Sequence, residues 1–260
     1  MTDPAVPAGV DVERANVARM YDYWLGGAQN FAVDREHADR IEASNRTARH
    51  AARSNRSFLR HVVRWCTAQG IDQFLDLGSG VPTVGNVHEI APAARVAYVD
   101  HESVAVAHSR AILADVDRAS ITQADLADAD AVLGAPGVAD LLDFSRPVAV
   151  LAIAVLHYVP GDLVALLAPY RERLVPGGAL AISHVSDEQD DPDLAARVRA
   201  AAAVFAGSAN PVTLRSKPEL LAPFEGLVIA EPGLVDVVDW PAARPDVEKV
   251  GMYGVCAALA

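Results

Sequence analysis

From Gln73 onward, short apolar runs alternate with helix-patterned segments, and that alternation restricts the chain to a mostly parallel sheet with helices on both faces. "QFLDLG" (73–78) is followed by a helix near 83–91, and "RVAYVD" (95–100) by a helix from Glu102 to about Ala114. "ASITQAD" (119–125) precedes a loop and a short helix. "PVAVLAIAVL" (147–156) leads into a helix at 162–173 that stops before "PGG" at 176–178. "ALAISHV" (179–185) follows, with a helix from about Asp193 to Phe205. Then the pattern changes. "SKPE" (216–219) is a capping box, with Ser216 as N-cap, Pro218 near the first helical position and Glu219 at N3. Beyond it, "LVIAEPGLVDVVDW" and "VGMYGVCAAL" are two extended runs with no helix between them, which predicts an antiparallel hairpin at the sheet edge. The fold class expected is α/β, a doubly wound sheet ending in an antiparallel pair.

Apolar residues make up 52% of the 260, enough for a substantial core, yet no uninterrupted apolar run approaches the ~18 residues of a membrane span. The opening "MTDPAVPAG" reads as a frayed start, without the basic flank and apolar run of a secretion signal. Cys66 and Cys256 lie far apart without metal-ligand spacing, so buried thiols, no metal and a cytoplasmic location are expected. The net charge of −12 is unevenly spread: residues 1–64 carry ten Arg against eight acids, the rest twelve basic against twenty-six acidic. An acidic body repels phosphate backbones, which argues against nucleic acid and for a small-molecule partner. The Arg-containing arm is expected to dock onto that body. The chain therefore reads as a helical arm, 1–64, and a sheet domain, 65–260, folded as one compact unit.

The arm holds the stretch "MYDYWLGGAQNF" (20–31). Val17, Met20, Tyr21, Trp24 and Leu25 recur at the spacing of an amphipathic helix, and Gly26–Gly27 terminate it. Asp22 and Tyr23 fall outside this stripe, and contact with a ligand is the reading given to them.

In open α/β sheets ligands bind beyond the carboxyl ends of the strands, where strand order reverses. The loop after the first strand is "LDLGSGVPT", in which Gly78, Ser79 and Gly80 let backbone approach a ligand closely. A dinucleotide fingerprint needs a third glycine where Thr83 stands. Asp76 before the loop suits a cationic ligand group better than a pyrophosphate, which favours S-adenosylmethionine over a nucleotide phosphate. Asp100 ends the second strand, placed to accept from ribose hydroxyls, with His101 beside it. Asp125 ends the third, placed to accept from an adenine amino group while Leu126 packs on the ring. Each acid alone reads equally well as a helix cap. Three at successive strand ends favour the cofactor.

"ARMYDYWLGGAQNFAVDRE", "FLDLGSGVPTVGNVHEIA", "VAYVDHE", "VLHYVP", "LVPGGALAISH", "LRSKPEL" and "EPGLVDV" together resemble a bacterial S-adenosyl methyltransferase family, over roughly residues 11–258. The resemblance implies the class I methyltransferase fold and S-adenosylmethionine as cofactor, and names no acceptor. Position within such a fold suggests roles for other residues, with core packing the alternative for Tyr21, Trp24 and His157. The helix ending at Gly26 is expected to fold over the sheet edge as a lid. Tyr21 and Trp24 would then offer ring faces to a sulfonium, and Asn30 would bond the cofactor's amino-acid end. Ala154, ending the fourth strand, is placed at the cofactor. His157 is the candidate base, and Tyr23, Trp24, Tyr158 and His184 the candidate acceptor contacts. The expected function is in-line methyl transfer to an unidentified small O- or N-acceptor. The alternative is a cofactor-binding regulator without turnover, and a nicotinamide-dependent oxidoreductase is disfavoured by Thr83 and the two-strand ending.

Overall fold

A computed structural model describes residues 11–82, 85–206 and 210–260, so the opening "MTDPAVPAG" and Thr83 lie outside the described residues. The strands are β1 (Gln73–Leu77), β2 (Arg95–Asp100), β3 (Ala119–Gln123), β4 (Ala149–Ile153), β5 (Ala179–Val185), β6 (Val228–Ile229), β7 (Val235–Asp236) and β8 (Met252–Ala258). They form one sheet in the order β3–β2–β1–β4–β5–β8–β6, with β7 also paired to β8. The first five are parallel, and β8 runs antiparallel to β5, as do β6 and β7 to β8. The expected doubly wound sheet with an antiparallel edge is present. One detail differs: the run 227–240 is not a single strand. A turn in which Gly233 N–H donates to Ala230 O splits it into two short pieces, β6 and β7, both on the far side of β8.

The helices of the sheet domain are α4 (Val87–Ile90), α5 (Ser103–Ile112), α6 (Ala129–Gly134), α7 (Pro136–Ala139), α8 (Leu163–Arg171), α9 (Pro192–Phe205) and α10 (Lys217–Leu221). Before them stand α1 (Val17–Leu25), α2 (Ala32–Ser44) and α3 (Ala48–Ala68). The 64/65 division expected between arm and sheet domain falls inside α3, which belongs to both. Its Phe58, Leu59, Val62, Val63 and Cys66 pack on one sheet face, while α6, α7, α8 and α10 cover the other.

Strand parity decides what each face presents, because successive side chains point to opposite sides. In β1, Phe74 joins the α3 layer while Leu75 and Leu77 join the opposite one, so Asp76 points to the α3 side. In β2, Val96 and Tyr98 belong to the α3 layer, and Asp100 shares their parity. In β5, Ala179 and Ala181 face α3, which sends Ser183 the same way and His184 the other.

Buried polar groups hold the N-terminal helices in place. Asn16 caps α1, its side-chain oxygen accepting from the Ala18 and Arg19 N–H groups. Arg19 Nε donates to Asp34 Oδ2 at 2.7 Å, both side chains fully enclosed, and Asp34 also accepts from the Asn16 and Phe31 N–H groups. Asp22 is likewise buried. It accepts from Gln29 N–H (2.8 Å) and Asn30 Nδ2 (2.9 Å) and so closes the Gly26–Gly27 turn. A Cβ on Gly27 would lie 1.9 Å from Asp22 Oδ1, which is why the second residue of the turn is also glycine.

Candidate active site

Strand order reverses between β1 and β4, and the loops leaving these strands meet there. Gly78 has φ +68°, and a Cβ on it would lie 2.2 Å from Val155 Cγ2, so glycine is what lets the two loops touch. Gly80, at φ +69°, has open space above it. That space is part of a cleft of about 430 Å³ bounded by these loops, the ends of β2 and β3, α1 and α3.

The cleft is acidic. Asp76, Asp100, Glu102 and Asp125 line it against one guanidinium, Arg56. Asp100 Oδ2 accepts from Gly80 N–H (2.7 Å) and Oδ1 from Glu102 N–H (2.8 Å), so this carboxylate orients the glycine loop and closes the turn that leads into α5. Burial raises its pKa, and those two bonds oppose the rise. Asp125 Oδ1 accepts from Ala127 N–H. Neither acid is a helix N-cap, since Glu102 caps α5 and Asp128 caps α6; both bonds close turns two residues long, and each oxygen keeps a lone pair for a ligand. Asp76 lies nearer its neutral form: burial pushes its carboxyl up to about 7, Arg56 opposing and Asp100 adding to the rise. The lining fits a ligand with cationic groups and hydroxyls, as S-adenosylmethionine has. A pyrophosphate would meet carboxylates instead of donors.

A relay of buried hydrogen bonds ties α1 to this cleft. Tyr21 Oη donates to Ala52 O (3.0 Å) and accepts from Asn55 Nδ2 (2.9 Å). Asn55 Oδ1 accepts from the Ser183 hydroxyl (2.6 Å), and Ser183 Oγ accepts from Ala154 N–H (2.9 Å). Ala154 sits at φ 56°, a left-handed conformation that is uncommon for alanine and concentrates at functional sites. Asn16 Nδ2 adds a second link, donating to Glu102 Oε2 at 2.6 Å.

The expected site residues fall into two groups. Tyr21, Asp76, Gly78, Ser79, Gly80, Asp100, His101, Asp125, Leu126, Ala154 and Tyr158 all line the cleft. The others do not. Asn30 is buried in the turn, its amide donating to Asp22 Oδ2 and Gly27 O while its oxygen accepts from Arg35. Tyr23 lies under the Arg49 guanidinium, and its hydroxyl donates to Asp39. His184, sent to the opposite face by parity, has both nitrogens engaged: Nε2 by Arg215 Nη1 (2.9 Å) and Nδ1 by Val185 O (2.6 Å). Burial pushes its pKa down to about 4. Trp24 and His157 line a smaller chamber behind the cleft, where burial holds the His157 imidazole neutral.

Sequence reasoning missed Asn16, Asn55, Arg56, Ser183 and Arg215. Asn55 and Arg56 carried one signal, polar residues on or beside the apolar face of a 21-residue helix. Arg215 is buried and donates to the carbonyls of Leu156, Val159 and Gly161, fixing the loop after β4. Nothing local marks it.

A model of the S-adenosyl methyltransferase family matches residues 4–260. The chain belongs to that family. Its cofactor is S-adenosylmethionine and it is a methyltransferase. Two solved structures are similar at 34% identity and a TM-score of 0.89: a DUF574 family protein from Streptomyces avermitilis, with 96% of this chain and 99% of that one covered, and a candidate methyltransferase from Thermobifida fusca, with 98% of each covered. The magnesium protoporphyrin IX methyltransferase of Synechocystis PCC 6803, solved with bound cofactor, shares the fold at 15% identity and a TM-score of 0.53, with 98% of this chain and all of that one covered. Among curated proteins none matches. No helix among the described residues is long and apolar enough to cross a membrane.

Proposed function

We propose that this methyltransferase acts on a small uncharged molecule at oxygen or nitrogen. The reading rests on one observation: the acidic cleft at the β1/β4 reversal shares Tyr21, Ala154 and Tyr158 with an adjoining chamber that no charged side chain lines among the described residues. When bound, S-adenosylmethionine supplies an electrophilic methyl group. The chain's own residues hold and align. Asp100 and the Gly78–Gly80 loop take the ribose side, and Asp125 with Leu126 takes the base. Asp76 faces a cationic group of the cofactor. Tyr21 and the lid exclude water from above.

Alignment of donor and acceptor is worth roughly 7–11 kcal/mol in reactions of this kind, so no strong base is required. The neutral His157 imidazole lines the acceptor side, and its role is to receive or hold a proton there. Calorimetric titration of the demethylated cofactor into wild type and Asp100→Ala tests the assignment. Loss of charge-assisted bonds worth about 1.5–3 kcal/mol each weakens binding in the variant by at least tenfold. Equal affinities in two folded proteins would remove Asp100 from the site.

A further inference from the structure

The chamber behind the cleft has its own chemistry. It measures about 80 Å³, and Tyr21, Trp24, Tyr158 and Phe205 supply ring walls, with Met252 and small alanines between them. No charged side chain lines it among the described residues. Two polar atoms in its walls are buried without any hydrogen-bond partner, Trp24 Nε1 and His157 Nδ1. Trp24 is 6% and His157 2% exposed. A buried donor or acceptor left unmade carries the full cost of its desolvation, and folded proteins leave few. Other polar groups of the wall are already served: Asn45 Oδ1 accepts from the Thr47 N–H and hydroxyl, and Tyr21 Oη bonds Ala52 O and Asn55.

We propose that this chamber is the acceptor subsite, and that it takes an uncharged aromatic ring bearing one hydroxyl-type oxygen. The proposal rests on the methyltransferase reading above and adds the substrate class. Ring walls favour a ring through edge and face contacts. A carboxylate or ammonium group would be desolvated here with no opposite charge, which excludes charged acceptors. The oxygen accepts from Trp24 Nε1–H, an indole being a donor only. A hydroxyl, donor and acceptor at once, suits either unpartnered group, the Trp24 indole N–H or His157 Nδ1 in either tautomer. Size sets the fit: an apolar cavity of about 150 Å³ holds benzene, so a ring here extends partly into the neighbouring cleft, toward Ala154.

The full chain labelled with ¹⁵N at its tryptophan indoles provides the test. Its three indole signals, from Trp24, Trp65 and Trp240, are assigned with Trp24→Phe. Phenol, toluene and benzoate are the probes. Phenol is expected to shift the Trp24 signal saturably and to bind about tenfold more tightly than toluene, a gap of about 1.4 kcal/mol, while benzoate leaves the signal in place. Ala201→Leu and Ala202→Leu, which narrow the chamber from α9, are each expected to abolish the phenol shift while the demethylated cofactor binds as in wild type. A Trp24 signal unmoved by phenol overturns the subsite. Phenol no tighter than toluene, or a shift by benzoate, overturns the assigned chemistry. Failure of the methyltransferase reading shows separately, as absence of cofactor binding by wild type.

Discussion

A carboxyl held at about 7 changes charge within the working pH range, so Asp76 makes both binding and stability depend on pH. Its folded pKa is raised from 3.8, so between those values the folded chain keeps a proton that the unfolded chain releases. This group therefore costs stability as pH rises through that window. A cationic cofactor group favours the ionised form, so affinity is expected to climb with pH through about 7 and then level off. Asp76→Asn should raise the apo Tm at pH 8 by several degrees, weaken cofactor binding there and flatten its pH profile, as scanning and titration calorimetry would show. Ser183→Ala tests the relay. It strands Asn55 Oδ1 and removes one acceptor of Ala154 N–H, and should cost about 1–3 kcal/mol in denaturant unfolding and weaken cofactor binding. At this scale the acids at the strand ends were legible, because a strand terminus is a local signal. Asn55 and Ser183 were not, since their partners are each other across 128 residues and Tyr21 and Ala154, all distant in sequence.

Among the elements, α1 was readable as a helix with an apolar stripe, but its polar residues carry as much of the structure as the stripe does. Asp22 and Arg19 are buried where a stripe model leaves them outside, one closing the glycine turn and the other paired with Asp34. Arg19→Met leaves Asp34 enclosed without its cation, and loss of one partner of a buried pair costs about 3–5 kcal/mol. The expected result is a large fall in Tm, with the double variant Arg19→Met/Asp34→Leu recovering part of it. Gly27→Ala should also loosen the lid by driving Cβ into Asp22. Faster hydrogen exchange confined to the N-terminal helices is the readout, and unchanged exchange there would show that the turn does not hold the lid.

For the molecule as a whole, the sheet order places α3 beneath the site, and α3 links lid to sheet domain without a break. The arm's arginines divide their work accordingly. Arg46 reaches Glu248 at 2.6 Å on the surface, whereas Arg56 enters the cleft beside Asp76. On the opposite face, Arg215 and His184 lock the β4 exit loop. His184 has its pKa lowered to about 4 from 6.5, so the unfolded chain binds the extra proton between these values, and stability falls as pH drops through them. NMR should find the imidazole neutral, protonated on Nδ1, at pH 5.5. Arg215→Met should abolish that arrangement and lower Tm.

The sequence by itself determined the order of strands and helices, the glycine loop and the carboxylates at the ends of β1, β2 and β3. These depend on periodicity, turn chemistry and strand termini, all carried by neighbouring residues. Tertiary structure alone decided which of those side chains share a cavity. Strand parity put Ser183 beneath α1 and His184 on the far face, and the chamber exists because α1, α2, α3 and α9 converge behind Tyr158. Such outcomes rest on contacts between segments a hundred or more residues apart, whose pairing no local pattern encodes.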